Sequence, residues 1–162
     1  MAKNRFSESH GILGLTIDGD WNAGFDSDSI DMSKYNHACI IIMGDSSVAG
    51  AAILTLYGGA TAGAKTAAAT FTYRYAGAAV GSASSDVFGA AATSAALTST
   101  PGTIASYVML IEFDAADLNI SNTQYRYATL NVSAAGTAGT CDIVAVLSEP
   151  RYAEAVMDTA QA

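Results

Sequence analysis

The stretch from Tyr125 to Val132 limits the fold most, because its side chains alternate without a break. Arg126, Ala128, Leu130 and Val132 fall on one side, and Tyr125, Tyr127, Thr129 and Asn131 on the other. A period of two is what a strand with two unlike faces requires, and a helix, whose faces recur every three to four residues, does not accommodate it. The flanking sequence continues in the same way. Residues 106–114 read as a strand before it and residues 141–148 as a strand after it. Gly136 and Gly139 punctuate the connection, and Pro150 ends the last strand because it has no N–H to give a ladder. Residues 103–152 therefore read as an antiparallel meander.

The pattern extends upstream. Residues 37–43, with three consecutive Ile at 40–42, predict a central strand, and residues 50–57, 65–75 and 87–98 predict three more. Phe71, Tyr73 and Tyr75 share one face of the third, Gly89 interrupts the last, and Thr100-Pro101-Gly102 makes a turn before the meander. Strands at such spacing indicate a sandwich or barrel, and the Ala-rich pieces are broken by Gly, Ser and Thr rather than patterned for a helix. The expectation is an all-β, antiparallel β-sandwich of jelly-roll-like type over residues 35–152. Ile40, Ile42, Leu54, Leu56, Val108, Leu110, Leu130, Val144 and Val146 are expected inside. Residues 1–34 read either as an N-terminal arm that orders against another surface or as an edge segment of the same domain. Residues 153–162 form a C-terminal tail, helical by propensity or frayed.

The 162 residues suit one domain, and 51% are hydrophobic, but much of that share is Ala, which buries little area. A thin core follows, with part of the stability expected from association into a homo-oligomer. Seven Lys plus Arg against 15 Asp plus Glu give a net charge of −8, and the cations are scattered, which argues against a nucleic-acid surface. No stretch of about 18 apolar residues suggests a membrane span, and the start lacks the apolar run of a secretion signal. Cys39 and Cys141, both within apolar strands, are expected as free thiols in a cytosol-like compartment.

Several chemistries come close to a motif and then miss it. Residues 59–66 resemble a phosphate loop, but Ala64 precedes Lys65 where Gly is needed and a Thr-rich strand follows instead of a helix. Asp18, Asp20, Asn22, Asp26 and Asp28 offer calcium-type oxygens, yet Ala23 and Ser29 occupy the places of the Gly and the closing Glu. His37 and Cys39 share a strand face that Cys141 could join, without the four ligands of a closed zinc site. His10 and His37 are the only imidazoles for a hydrolytic triad, and no nucleophile elbow is present. Glu112, Asp114 and Asp117 cluster at one strand end rather than facing each other across a cleft. The expectation is a non-enzymatic protein without catalytic residues, metal or cofactor.

Three pieces carry a resemblance: Ile-Glu-Phe-Asp-Ala-Ala-Asp-Leu at 111–118, Tyr125-Arg126-Tyr127, and Leu-Ser-Glu-Pro-Arg-Tyr at 147–152. Together they resemble the head-decoration, or cement, proteins of tailed bacteriophages, over the C-terminal third of the chain. The resemblance implies a β-sandwich that binds the major capsid protein on the outside of the virion, is made in the host cytoplasm, and assembles as a trimer. On that view Phe6, Ile12, Leu13, Leu15, Trp21 and Phe25 of the first segment, with Tyr125 and Tyr127, are the candidate capsid or subunit interface. A second reading uses the tyrosines differently. Tyr73, Tyr75, Tyr107, Tyr125, Tyr127 and Tyr152 could form a stacking platform for carbohydrate or a receptor, against plain cross-strand packing.

Overall fold

The computed structural model describes residues 6–151 and 160–162. Their strands are β1 (Gly11–Asp20), β2 (Phe25–Asp26), β3 (Ile30–Asp31), β4 (Tyr35–Gly44), β5 (Ala52–Gly59), β6 (Ala67–Ala68), β7 (Phe71–Tyr75), β8 (Ala92–Ser94), β9 (Leu97–Ser99), β10 (Val108–Asp114), β11 (Asn119–Ile120), β12 (Thr123–Gln124), β13 (Tyr127–Val132) and β14 (Thr140–Pro150). Single helical turns occupy Phe6–Ser9 (α1), Pro101–Ile104 (α2) and, as a 3-10 turn, Ala115–Leu118.

One sheet has the order β1-β14-β4-β10-β7-β8, and the other runs β2-β13-β5-β6, with β3 also on β13 and β9 also on β5. The strand pairings within both sheets are antiparallel. The protein is thus the all-β sandwich that the alternation indicated. Its pairing is nested: β4 lies beside β14 in one sheet while β5 lies beside β13 in the other. That is the winding of a jelly roll, here with β10 inserted on the far side of β4. The chain passes repeatedly between the sheets, and two of the crossings are two-residue corners. Ala69 and Thr70 carry it from β6 to β7, and Ala95 and Ala96 from β8 to β9. Small side chains suit such corners, where two backbones approach closely.

The core lies between the sheets. Ile40, Ile42, Leu54, Leu56 and Leu130 are buried in it as expected, with Trp21, Tyr35 and Phe71 as its large members. The face assignment of two strands is corrected. On β10 the core takes Met109, Ile111 and Phe113, and on β14 it takes Cys141, Ile143, Ala145 and Leu147. Val108, Leu110, Val144 and Val146 are half-buried on the opposite face of the sheet. Both parities of these strands are apolar, so the alternation that fixed β13 was absent. Residues 87–98 are likewise not one strand. Turns and bends occupy much of residues 77–91, and only β8 and β9 are regular.

The first segment belongs to the sandwich. β1 pairs along β14 from Gly11↔Leu147 to Asp20↔Thr140, and β2 and β3 border β13. Leu13, Leu15 and Trp21 are in the core. Of the tail, residues 160–162 return to β3: Asp31 N–H donates to Ala160 O at 2.7 Å, and Ala162 N–H donates to Ser29 O at 3.1 Å. The rest of the tail, and Tyr152, lie outside the described residues.

Candidate functional site

The three pieces that carry the resemblance come from the ends of three different strands and meet at one end of the sandwich. β10 and β14 flank β4, so that Asp114, His37 and Ser148 stand abreast, and Pro150 faces Tyr35. Beyond β10 the chain makes its 3-10 turn, fixed by Asp114 N–H donating to Asp117 Oδ2 at 2.8 Å. Gln124 ties that turn to the entry of β13, donating from Nε2 to Ala115 O at 2.9 Å and to Tyr125 O at 3.1 Å. Asn36, Asp114, Ala115, Ala116, Gln124, Glu149 and Arg151 line an open depression there, and Met32, Ser33, Tyr125 and Arg126 line its neighbour.

An ion pair anchors this end. Arg126 grips Asp31 with Nε on Oδ1 at 2.9 Å and Nη2 on Oδ2 at 2.6 Å, while the Ser33 hydroxyl and N–H donate to the same Oδ1 at 2.7 and 3.0 Å. Burial by itself would raise the Asp31 pKa. The hydrogen bonds of Arg126 and Ser33 outweigh it and hold the carboxyl at about 2. The guanidinium also lies 5.1 Å from the centre of the Tyr127 ring.

The candidate interface residues separate by exposure. Leu13, Leu15 and Trp21 leave the set, because their side chains fill the chain's own core. Phe6, 56% exposed and stacked on His10 at 4.1 Å, and Ile12, 58% exposed, remain on the surface. Both lie near the same end, since β1 enters opposite Leu147. Phe25, Tyr125 and Tyr127 are half-buried. Of the tyrosines of the second reading, Tyr73 and Tyr75 stand on β7 in one sheet and Tyr127 on β13 in the other. Tyr73 and Tyr75 pack against the core, with the Tyr73 ring edge-on to Phe71 and to Tyr75.

The other motifs resolve into structural roles. Asp20 Oδ1 accepts the N–H groups of Asn22 and Ala23 in the turn after β1. Asp26 accepts Lys65 Nζ at 2.8 and 2.9 Å and Asn131 Nδ2 at 2.7 Å; burial opposes the carboxylate, and these partners draw its pKa below the usual range. Asp28 accepts Gln161 Nε2 at 2.7 Å. Asp20, Asp26 and Asp28 of the calcium-type set thus serve separate partners, and the lysine of the phosphate-loop look-alike is held by Asp26. Among the described residues no three His, Cys, Asp or Glu groups converge as a metal site. Cys39 and Cys141 are free thiols on opposite faces of the sheet. Burial, then Glu112, pushes Cys39 up to about 11; burial, then Asp142, pushes Cys141 up to about 12. His37 Nδ1 is 2.8 Å from Asp114 Oδ1, a dyad on an exposed strand end whose described hydrogen bonds do not include Ser148.

The convergence of these pieces could not be read from the sequence, because it depends on β4 lying between β10 and β14. The Asp31–Arg126 pair has no local signal, because it spans 95 residues. No family model and no curated protein matches the chain. Among solved structures it is similar to the SPBc2 prophage-derived protein YomS, with a TM-score of 0.53 over 85% of this chain and 91% of that one. The two share 9% sequence identity, so the likeness is one of fold.

Proposed function

We propose that this chain is a structural, non-enzymatic component of a tailed-bacteriophage particle, a decoration protein that binds the major capsid protein on the outside of the head. The observation that carries the reading is the meeting of residues 111–118, 125–127 and 147–151 at one end of the sandwich. These are the pieces that resemble decoration proteins, and the fold shared with a prophage-derived protein adds to them. A cement protein needs a stable scaffold with a surface matched to the shell, and many copies on a closed lattice multiply a modest affinity. The end with Phe6, Tyr125, Tyr127, Asp114, Glu149 and Arg151 is the surface we assign to the capsid, in place of a free N-terminal arm. Made in the host cytoplasm, the chain would join the virion as a homo-oligomer.

The test is co-sedimentation of the purified chain with heads of the parent phage assembled without it. Binding is expected at saturating stoichiometry on the lattice, weaker at high salt because the assigned end is charged, and reduced at least tenfold by Glu149→Lys combined with Asp114→Lys. A chain that ignores the heads but is retained on a glycan array would replace this reading by the carbohydrate-binding one.

A further inference from the structure

The outer face of the six-stranded sheet carries a second surface. In an antiparallel sheet with one wet face, strands alternate apolar and polar. The three central strands here do not. β4 reads Ala38-Cys39-Ile40-Ile41-Ile42-Met43, β10 opens Val108-Met109-Leu110-Ile111, and β14 holds Ile143-Val144-Ala145-Val146-Leu147. Continuous apolar runs are the pattern of strands covered on both sides, and the core covers only the side of Ile40, Ile42, Met109, Ile111, Ala145 and Leu147.

Register puts the remaining side chains in contiguous rows. Ile12, Val146, Cys39 and Glu112 stand abreast, and beside them Val144, Ile41, Leu110 and Arg74. All are half-buried or exposed. The two charged members of these rows lie against each other, Arg74 Nε 3.9 Å from Glu112 Oε2, and at one end of the face His37 Nδ1 lies 2.8 Å from Asp114 Oδ1. Asp142, at the other end, accepts the Asp18 N–H at 2.9 Å.

We propose that this face binds the same face of a second copy of the chain. Two molecules of net charge −8 repel over most of their surface, whereas the rows of this face are apolar apart from Glu112 and Arg74, which oppose each other within one chain. The size also suits a pair of copies. β1, β14, β4 and β10 lie about 4.8 Å apart and the ten residues of β4 rise about 3.3 Å each, so the face projects on the order of 500 Å² before side-chain relief, approaching the ~800 Å² per partner of a stable complex. Such a contact is isologous, places Ile41 and Cys39 near the two-fold axis, and joins copies in twos. A trimer would need a different, heterologous surface. The inference does not rest on the capsid reading.

The experiment is sedimentation equilibrium of the full chain up to about 100 μM, a range that detects micromolar pairing. The expected mass is an even multiple of 16.5 kDa. Ile41→Asp should halve the assembly with an unchanged circular dichroism spectrum, whereas Ile17→Asp, on an 81% exposed residue of β1, should leave it intact. Should Ile41→Asp not fold, the wild-type chain decides: maleimide labelling of Cys39 slows severalfold between dilute and concentrated protein if the face is covered. A monomer at every concentration, an assembly indifferent to Ile41→Asp, or labelling independent of concentration overturns the proposal. A monomer that still binds heads removes this inference and leaves the capsid reading; a dimer that ignores heads does the reverse.

Discussion

Arg126, at the entry to β13, closes a two-point ion pair on Asp31 of β3, so that the segment before β4 is locked to the second sheet at the end where the three motifs meet. Asp31 is buried and Arg126 half out in solvent. The carboxylate is therefore the partner whose loss is felt.

Asp31→Asn should cost about 1.5–3 kcal/mol, the range for a hydrogen bond to a charged group, read as a lower urea midpoint. The pH dependence follows from the depressed pKa. Ionised Asp31 stabilises the fold above the unfolded carboxyl pKa of about 4, and that contribution is lost as pH falls toward about 2. Wild-type stability should drop through that window and the Asn variant should drop less. Equal slopes would show that the pair does not contribute.

Exchanging the expected faces of β10 makes a second prediction. Ile111→Ala should cost about 2–5 kcal/mol as a core cavity, and in dilute protein Leu110→Ala should cost at least about 1 kcal/mol less, since it empties no enclosed site. Thermal unfolding of the two variants separates them.

Gly44, where β4 ends, has the backbone carbonyl of Ile104 where a Cβ would stand. Gly44→Ala must push two backbones apart, and a loss of about 1–3 kcal/mol is expected. A neutral effect would mean that α2 yields.

The first segment should not be removable. Deleting residues 1–34 strips β1 from β14 and takes Leu13, Leu15 and Trp21 from the core. The truncated chain is expected to be insoluble or to lose the cooperative transition, by circular dichroism and chemical denaturation. A truncated chain that unfolds cooperatively would restore the arm.

The sequence was legible where burial is one-sided. In β13 the alternation placed Leu130 inside, where it is buried, and Phe71 and Tyr73 do share a face of β7, although residues 65–75, expected as one strand, divide into β6 and β7 in different sheets. It was illegible where both faces are apolar, as in β10 and β14, because periodicity cannot choose a parity when every position is greasy. The strand expected over residues 87–98 fails because Gly89 and the Ala and Ser around it offer few large side chains to pack, so only β8 and β9 are regular there. The candidate site was legible only as three separate motifs. Their meeting depends on strand order, and the Asp31–Arg126 contact on a pairing 95 residues apart, neither of which local pattern encodes.

The capsid assignment is tested most directly by a reconstruction of parent-phage heads with and without the chain. The account predicts additional density on the outside of the shell, at symmetry-related positions, into which the sandwich fits with Phe6, Tyr125 and Glu149 toward the capsid. Density that is absent, inside the shell, or confined to the tail would contradict it.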